Sequence, residues 1–174
     1  TLRVIIMTST TQTLVDMTVS VNGNTVGTMT FEFWPHIAPG TVENFLNYVK
    51  EGFYNGKTFH RVIPGFMIQG GCPEGTGTGS GPKGNIKGEF TDNKEYSHKR
   101  GVLSMARSQN VDSASCQFFV CHGDAEFLDN QYAAFGKLIA GEDALDAVAA
   151  EETFPGDKPK QACVIESMVV RTEG

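Results

Sequence analysis

The sequence predicts a mainly β protein, a closed antiparallel β-barrel with α-helices covering its ends. Two observations support this fold class. Apolar runs of strand length alternate with turn signals along most of the chain, and only two segments have helical periodicity. Many strands with few helices favour a sheet that closes on itself. The 174 residues, 40% of them hydrophobic, suffice for one well-packed domain and are few for two.

The first predicted element is a β-hairpin. Residues 15–21 alternate approximately between apolar and polar side chains, and residues 26–33 resume the pattern after Asn22-Gly23-Asn24. An Asn-Gly pair between two such runs is typical of a hairpin turn. We expect the second strand to end at Pro35.

An amphipathic helix is predicted over residues 41–51. Its apolar side chains recur at i, i+3, i+4 and i+7, the spacing of one helix face. We expect Thr41 to be the N-cap and Gly52 to end the helix. The apolar set comprises Val42, Phe45, Leu46 and Val49.

The remaining elements are short. A second helix is expected over residues 142–150, with an apolar face that includes Leu145 and Val148. The other predicted strands cover residues 58–63, 66–70, 102–106, 117–121, 134–140 and 162–171.

The segment 59–71 predicts two strands around the turn Pro64-Gly65-Phe66. A three-residue loop fixes the register of the two strands. One face of the ribbon then displays a fixed cation, an amide and apolar groups, which suits an extended peptide containing an apolar residue such as proline. The predicted pairs are Ile63 with Met67 and Arg61 with Gln69.

Composition excludes several function classes. A net charge of −6 and a pI near 5.2 argue against sequence-independent nucleic-acid binding, which needs a basic face. No apolar run approaches the roughly 18 residues of a membrane span, so we expect no membrane partner. The chain also has no coiled-coil heptads, and we expect a monomer.

The cysteines indicate a reducing compartment. They have no C-x-x-C spacing and are too sparse for a disulfide scaffold, so we interpret them as reduced thiols in a cytoplasmic protein. The histidines and cysteines lack paired ligand spacing, and we predict no metal. The cysteines are Cys72, Cys116, Cys121 and Cys163.

The glycine-rich region 75–88 is predicted to be a loop. It contains formal matches to G-x-G-x-x-G at 79–84 and to S-x-x-K at 80–83, but Pro82 and the glycines prevent the helix that either motif needs. Ser104 lies in a predicted buried strand, where its hydroxyl is expected to bond to a neighbour. Nucleotide binding and hydrolase activity are therefore weak hypotheses.

Three ordered segments carry a more specific pattern: FHRVIPGFMIQGG at 59–71, GVLSMAR at 101–107 and QFFV at 117–120. They resemble the signature segments of the cyclophilins, the cyclosporin-binding family of peptidyl-prolyl cis/trans isomerases. Further matches near residues 127–137 extend the similarity to about residues 15–171. The resemblance implies an eight-stranded antiparallel barrel capped by two helices, in a single domain over residues 1–174, with 1–12 as an extension outside the match.

The resemblance also implies a site and an activity. Arg61 would be the catalytic residue for rotation about Xaa-Pro bonds, and proline-containing peptides and unfolded proteins would be the substrates. No cofactor is implied. The implied substrate-binding residues are Phe66, Met67, Gln69, Ala106, Arg107, Gln117, Phe119, Phe127, Leu128 and Tyr132.

Three positions depart from many eukaryotic members. Phe127 replaces a tryptophan whose indole N–H is donated to cyclosporin, so cyclosporin is expected to bind weakly at best. Arg107 replaces an asparagine, and Tyr132 stands near the position of a histidine. Arg107 and Phe127 resemble bacterial members of the family.

Two function classes follow from these observations. The first is an enzyme that accelerates prolyl isomerisation and assists protein folding. The second is a non-catalytic proline-peptide binding module or chaperone that uses the same groove. Arg61 favours the enzyme, because pure binding gains little from a cation aimed at an amide nitrogen.

Overall fold

The structure is a computed structural model that describes residues 11–173. Most of the predicted N-terminal extension, residues 1–10, lies outside the described residues. Within them the strands are β1 (Gln12–Val21), β2 (Asn24–Phe33), β3 (Phe59–Ile63), β4 (Met67–Gly70), β5 (Val102–Met105), β6 (Phe118–Cys121), β7 (Ala134–Ala140) and β8 (Cys163–Glu173). The helices are α1 (Pro39–Lys50) and α2 (Glu142–Ala149), with short 3₁₀ helices at Lys94–Tyr96 and Glu126–Leu128.

All eight strands belong to one antiparallel sheet in the order β3-β4-β6-β5-β7-β2-β1-β8. The sheet curls until its two edges meet just before β3. There Thr58 forms a bridge with Val164, and the backbone N–H of Ile165 donates to the carbonyl of Lys57 at 2.8 Å. The predicted eight-stranded fold with two helices is confirmed. The two edges of the sheet are joined by the residues that immediately precede β3.

The β1–β2 hairpin is confirmed, with a tighter turn than the sequence suggested. Val21 pairs with Asn24, so Asn22 and Gly23 alone form the loop. Both have positive φ angles, +50° and +80°, as a type I′ turn requires. Asparagine and glycine adopt this conformation readily, and the second strand therefore begins two residues earlier than predicted.

The predicted N-cap of α1 is wrong. The helix begins at Pro39, and Ala38 occupies the cap position without a side-chain hydrogen bond. Proline fits the first helical turn because its missing N–H needs no partner there. A distant carboxylate satisfies the next donors: Glu89 accepts from the backbone N–H of Gly40 at 3.2 Å and from that of Thr41 at 2.6 Å. The stop at Gly52 (φ +72°) agrees with the prediction.

Both helices bury one face against the inside of the sheet. Leu145 and Val148 of α2 are fully buried in the same core as Phe45 of α1. Neither helix of the described chain has the length and apolarity needed to cross a membrane.

Aromatic rings fill the centre of this core. The Phe118 ring lies 5.5 Å from the ring of Phe45 and 5.3 Å from that of Tyr54, with nearly perpendicular planes in both pairs. Edge-to-face geometry of this kind adds to the free energy gained from apolar burial. Phe118 thus connects β6 to the helix and to the loop that follows it.

Phe118→Ala is expected to lower the free energy of unfolding by about 3–5 kcal/mol, because it leaves a large cavity in the core. Urea denaturation followed by circular dichroism measures the change. Phe127→Ala is the matched control: that ring is 67% exposed, and the expected change is within about 0.5 kcal/mol. Equal losses in the two variants would contradict the assignment of Phe118 to the core.

Candidate active site

The β3–β4 hairpin has the register predicted from its turn. Ile63 pairs with Met67 and Arg61 with Gln69. Gly65 has a φ of +79°, and its backbone N–H donates to Nδ1 of His122 at 2.8 Å. The turn is therefore anchored to the chain that follows β6.

A β-bulge at His60 was not predicted. Phe59 pairs with Gly70 and Arg61 with Gln69, so two residues of β3 lie opposite one residue of β4. The extra residue lets Phe59 turn into the core while Arg61 stays on the outer face. As a consequence, His60 and Arg61 both line one outer cavity.

Nine of the eleven predicted site residues line one pocket of about 160 Å³. Its floor is apolar and buried, formed by Met67, Phe119 and Leu128, which are between 2% and 8% exposed. Polar groups surround the rim. The remaining lining residues are Arg61, Phe66, Gln69, Ala106, Arg107 and Tyr132.

Gln117 lies next to this pocket and helps to hold its rim. It lines an adjoining cavity of about 330 Å³ that shares Gln69, Ala106 and Arg107 with the first. The Gln117 amide donates to the carbonyls of Gly77 at 3.0 Å and Gly79 at 2.9 Å, and its oxygen accepts from Gln69 at 3.1 Å. Gln117 thus fixes the Gln69 side chain against the glycine-rich loop.

Phe127 stands outside both cavities. It is 67% exposed, and its ring centroid lies 5.6 Å from that of Phe66. Phe66 lines the pocket from the hairpin turn. The two rings form an exposed apolar edge beside the pocket.

The Arg61 side chain is about half exposed, at 47%. Among the described residues its one ionic contact is with Asp157, at 4.0 Å from Nε, and none of its nitrogens makes a hydrogen bond. The guanidinium fork is therefore available to a ligand in the pocket.

Arg107, whose side-chain role the sequence left open, packs into the pocket wall. Its Nε and Nη2 donate to the carbonyl of Gln131 at 3.0 and 2.6 Å. The guanidinium carbon lies 4.6 Å from the centroid of the Tyr132 ring, a cation–π contact. These bonds immobilise both side chains at the rim.

Sequence reasoning missed a polar network behind the pocket floor. Nδ1 of His98 lies 2.9 Å from Oδ1 of Asp129, and Nε2 lies 2.8 Å from the hydroxyl of Ser104. Ser97 also donates to Asp129, and the His98 ring is stacked on Phe119 at 6.1 Å between centroids. His98 and Asp129 are 31 residues apart, and Ser104 lies in a strand predicted to be buried. No short sequence motif therefore contains the three residues.

Hydrogen bonds link Ser104 to His98 and His98 to Asp129, as in the Ser-His-Asp triad of a hydrolase, but Ser104 is fully buried. A nucleophile needs access to its substrate, and this hydroxyl has none. Ser104 instead bonds to a neighbour, as the sequence predicted, and the network supports the pocket from behind.

Burial and hydrogen bonding set the charges in this network. Burial lowers the pKa of His98, and it outweighs the opposing effect of Asp129. For Asp129, burial raises the pKa, but hydrogen bonds from the His98 backbone, Ser97 and the His98 ring together lower it below its ordinary value. A neutral His98 that donates through Nδ1 to the Asp129 carboxylate, and accepts at Nε2 from Ser104, satisfies all three groups.

Trp34 is a second residue that the sequence did not connect with the site. It follows β2 directly and is 7% exposed. It belongs to the same apolar cluster as Met67, Phe119 and Leu128, although it does not line the pocket.

Comparison with known proteins agrees with this arrangement. The profile of the family described as cyclophilin type peptidyl-prolyl cis-trans isomerase/CLD matches residues 14–170. The chain belongs to the cyclophilin family. Among curated relatives, a peptidyl-prolyl cis-trans isomerase of Helicobacter pylori strain J99 is 46% identical over 143 residues, which cover 82% of this chain and 81% of the relative. Peptidyl-prolyl cis-trans isomerase B of Bacillus subtilis is 50% identical over 111 residues, 64% of this chain and 76% of the relative.

Solved cyclophilin structures have the same fold. A Cryptosporidium parvum cyclophilin type isomerase superposes with a TM-score of 0.84 at 29% identity, covering 94% of this chain and 99% of the other. The same parasite protein in the presence of the dipeptide Ala-Pro gives 0.83 at 31% identity, covering 92% and 99%. The family assignment confirms the predicted cyclophilin-type isomerase.

Acidification is expected to destabilise the protein in part through His98. Because folding lowers the pKa of this ring, its contribution to stability is present above the unfolded value of about 6.5 and is lost as the pH falls toward the lower folded value. Each pH unit that separates the folded from the unfolded pKa corresponds to about 1.4 kcal/mol in the free energy of unfolding. In urea denaturation at pH 7.5 and 5.5, His98→Gln should lose less stability between the two conditions than the wild type.

The exposed His36 provides the control, since His36→Gln also removes one imidazole. An unchanged pH dependence in His98→Gln would show that the His98 ring titrates equally in the folded and unfolded states, and would contradict the lowered pKa.

Proposed function

We propose that the pocket between Arg61 and the apolar floor binds the prolyl residue of a peptide, and that Arg61 catalyses rotation about the Xaa-Pro bond. One observation carries this proposal. A half-exposed guanidinium, with no hydrogen bond to another described residue, lies at the rim of a small pocket whose floor is buried and apolar. The apolar floor can bury the proline ring, and the guanidinium can donate to the proline nitrogen beside that ring.

The chemistry requires no covalent intermediate. Amide resonance gives the C–N bond a rotational barrier of roughly 18–20 kcal/mol, and uncatalysed Xaa-Pro exchange takes tens to hundreds of seconds. Resonance is lost in the twisted transition state, and the proline nitrogen regains a lone pair. A donor directed at that nitrogen binds the transition state more strongly than the ground state, which is the condition for catalysis.

Arg61 supplies such a donor. Its guanidinium is always charged and carries five N–H groups in a rigid fork. Since Asp157 lies 4.0 Å away and both side chains are more than 40% exposed, that ion pair is weak and leaves the fork free to turn toward a substrate.

The rim offers groups that hold an extended peptide. Gln69, fixed by Gln117, and the backbone of Ala106 and Arg107 border the pocket on the side of the adjoining cavity. Phe66, Leu128 and Tyr132 also line the pocket, and Phe127 extends its apolar edge beside Phe66. We assign substrate binding to these residues.

We propose proline-containing peptides and unfolded proteins as substrates, with assistance to protein folding as the cellular role. The cyclophilin relative studied in the presence of Ala-Pro supports the first point. The pocket is small and has few side chains that could read the sequence around proline, which favours broad specificity. We further propose that the chain acts as a monomer in the cytoplasm, a compartment that suits its four buried, unpaired cysteines.

Arg61→Ala is expected to lower kcat/KM for an Ala-Pro peptide about 100-fold, equivalent to about 2.7 kcal/mol of transition-state stabilisation. Exchange NMR measures the cis-to-trans rate, and titration of the same peptide measures its affinity. A large loss of rate with affinity retained is the expected result, because the lost interaction forms mainly in the transition state.

Arg171→Ala is the control for this variant. Arg171 is a surface arginine of β8 that pairs with Asp16 at 2.7 Å and does not line the pocket, so its removal should leave kcat/KM unchanged. Peptide binding by the wild type without any acceleration would instead support the non-catalytic proline-peptide module or chaperone.

Cyclosporin is proposed as a weak ligand, because Phe127 offers no hydrogen-bond donor at the exposed edge of the site. Phe127→Trp should tighten cyclosporin binding about two- to tenfold, the effect of one net hydrogen bond. Isothermal titration calorimetry measures the affinity, and Phe127→Leu provides a control without a donor. Equal affinities for the wild type and Phe127→Trp would contradict this explanation.

A further inference from the structure

A third cavity of about 510 Å³ opens beside the proline pocket and has no role in the proposed reaction. It shares Arg61 and Gln69 with that pocket, so the two are continuous across these side chains. An extended peptide advances about 3.3 Å per residue. A chain with its proline in the pocket therefore reaches this cavity within one or two residues.

The cavity contains two cations. Arg61 lines it from β3, and Lys158 lines it from the loop that precedes β8. Lys158 is exposed and makes no ion pair with any residue of the range 11–173. The acidic groups nearby are Asp157, which is 4.0 Å from Arg61, and Glu74, which accepts from the hydroxyl of Thr78 at 3.4 Å.

Backbone hydrogen bonds hold Lys158 in place. The N–H of Val62 in β3 donates to the carbonyl of Asp157 at 2.8 Å, and the N–H of Phe154 donates to the carbonyl of Lys158 at 2.8 Å. Asp157 itself has a φ of +70°, an uncommon conformation for a residue other than glycine. The loop is thus fixed against the strand that carries Arg61.

His60 contributes a further titratable side chain to this wall. The residue is 8% exposed and lines the cavity, and its Nδ1 is the one buried side-chain polar atom of the described chain without a hydrogen-bond partner. Buried polar groups in native proteins are nearly always satisfied. Burial, followed by the charges of Arg61 and Lys158, lowers the pKa of His60, as expected in a positive electrostatic field.

We propose that this cavity is a subsite for a carboxylate of the peptide substrate, borne by an acidic side chain one or two residues from the proline. The proposal rests on the isomerase function proposed above and adds a substrate preference to it. Arg61 and Lys158 attract the carboxylate from two sides of the cavity lining. A cationic side chain at the same place would be repelled by both cations.

A series of Ala-Ala-Pro-Ala-Ala peptides tests the proposal. Each non-proline position is replaced in turn by Glu or by the isosteric, neutral Gln, and exchange NMR gives kcat/KM for each peptide at low ionic strength. For at least one position the Glu peptide should exceed its Gln partner about three- to fivefold, the range of a partly exposed ion pair. The ratio should fall as salt is added.

Substitutions of Lys158 connect the preference to this cavity. In Lys158→Gln the Glu-to-Gln ratio should fall toward one, and in Lys158→Glu it should fall below one. Lys160→Gln is the matched control, because Lys160 is exposed on the same loop but pairs with Glu152 at 3.6 Å and does not line the cavity. Its ratio should equal that of the wild type.

Two results would overturn the subsite: a ratio near one at every position in the wild type, or a preference for Glu that persists in Lys158→Gln. Both are distinct from failure of the proposed function, which would appear as no acceleration of any peptide, neutral or acidic, by the wild type.

Discussion

The core and the pocket of this cyclophilin both depend on the alternation of side chains along β6. Phe118 points into the aromatic core, whereas the next residue, Phe119, forms part of the pocket floor. The strand is hydrogen-bonded on one side to β4 and on the other to β5. A slip by one residue would exchange the two faces along the whole strand, so the buried aromatic cluster fixes the register on which the pocket depends.

The polar groups around the floor fall into two kinds. Behind Phe119, the groups of Asp129, His98 and Ser104 satisfy one another, which makes a buried network rigid and specific. At the rim, Arg61 carries a charge that the residues of the range 11–173 leave largely uncompensated, and Lys158 adds a second such charge in the cavity beside it. The first group supports the apolar surface, and the second presents electrostatic potential to whatever occupies the groove. This division places the rigid part of the site behind the pocket floor and the adaptable part at the rim.

Much of this arrangement could be predicted from the sequence, because its signals are local. The three-residue turn fixed the pairing of Arg61 with Gln69, whereas Phe119 was placed in the site by the family resemblance. The bulge at His60 could not be predicted, since it depends on whether Phe59 can reach the core. The start of α1 was misplaced because its capping carboxylate, Glu89, lies 48 residues along the chain. The site residues outside the β3–β4 hairpin, among them Phe127, were assigned by resemblance, and the exposure of Phe127 reflects tertiary packing.

The capping of α1 by Glu89 also explains how a glycine-rich segment can form one wall of the site. Between residues 71 and 89 the chain is attached at intervals: the N–H of Gly81 donates to the Ser115 hydroxyl at 2.9 Å, that of Lys83 to the Tyr48 hydroxyl at 3.0 Å and that of Ile86 to the Ala114 carbonyl at 2.8 Å. Each attachment divides one long loop into shorter ones, so that the entropy of closure is distributed over several small steps. The segment is therefore ordered as a series of tethers to the barrel, and its glycines supply the backbone angles that such short spans require.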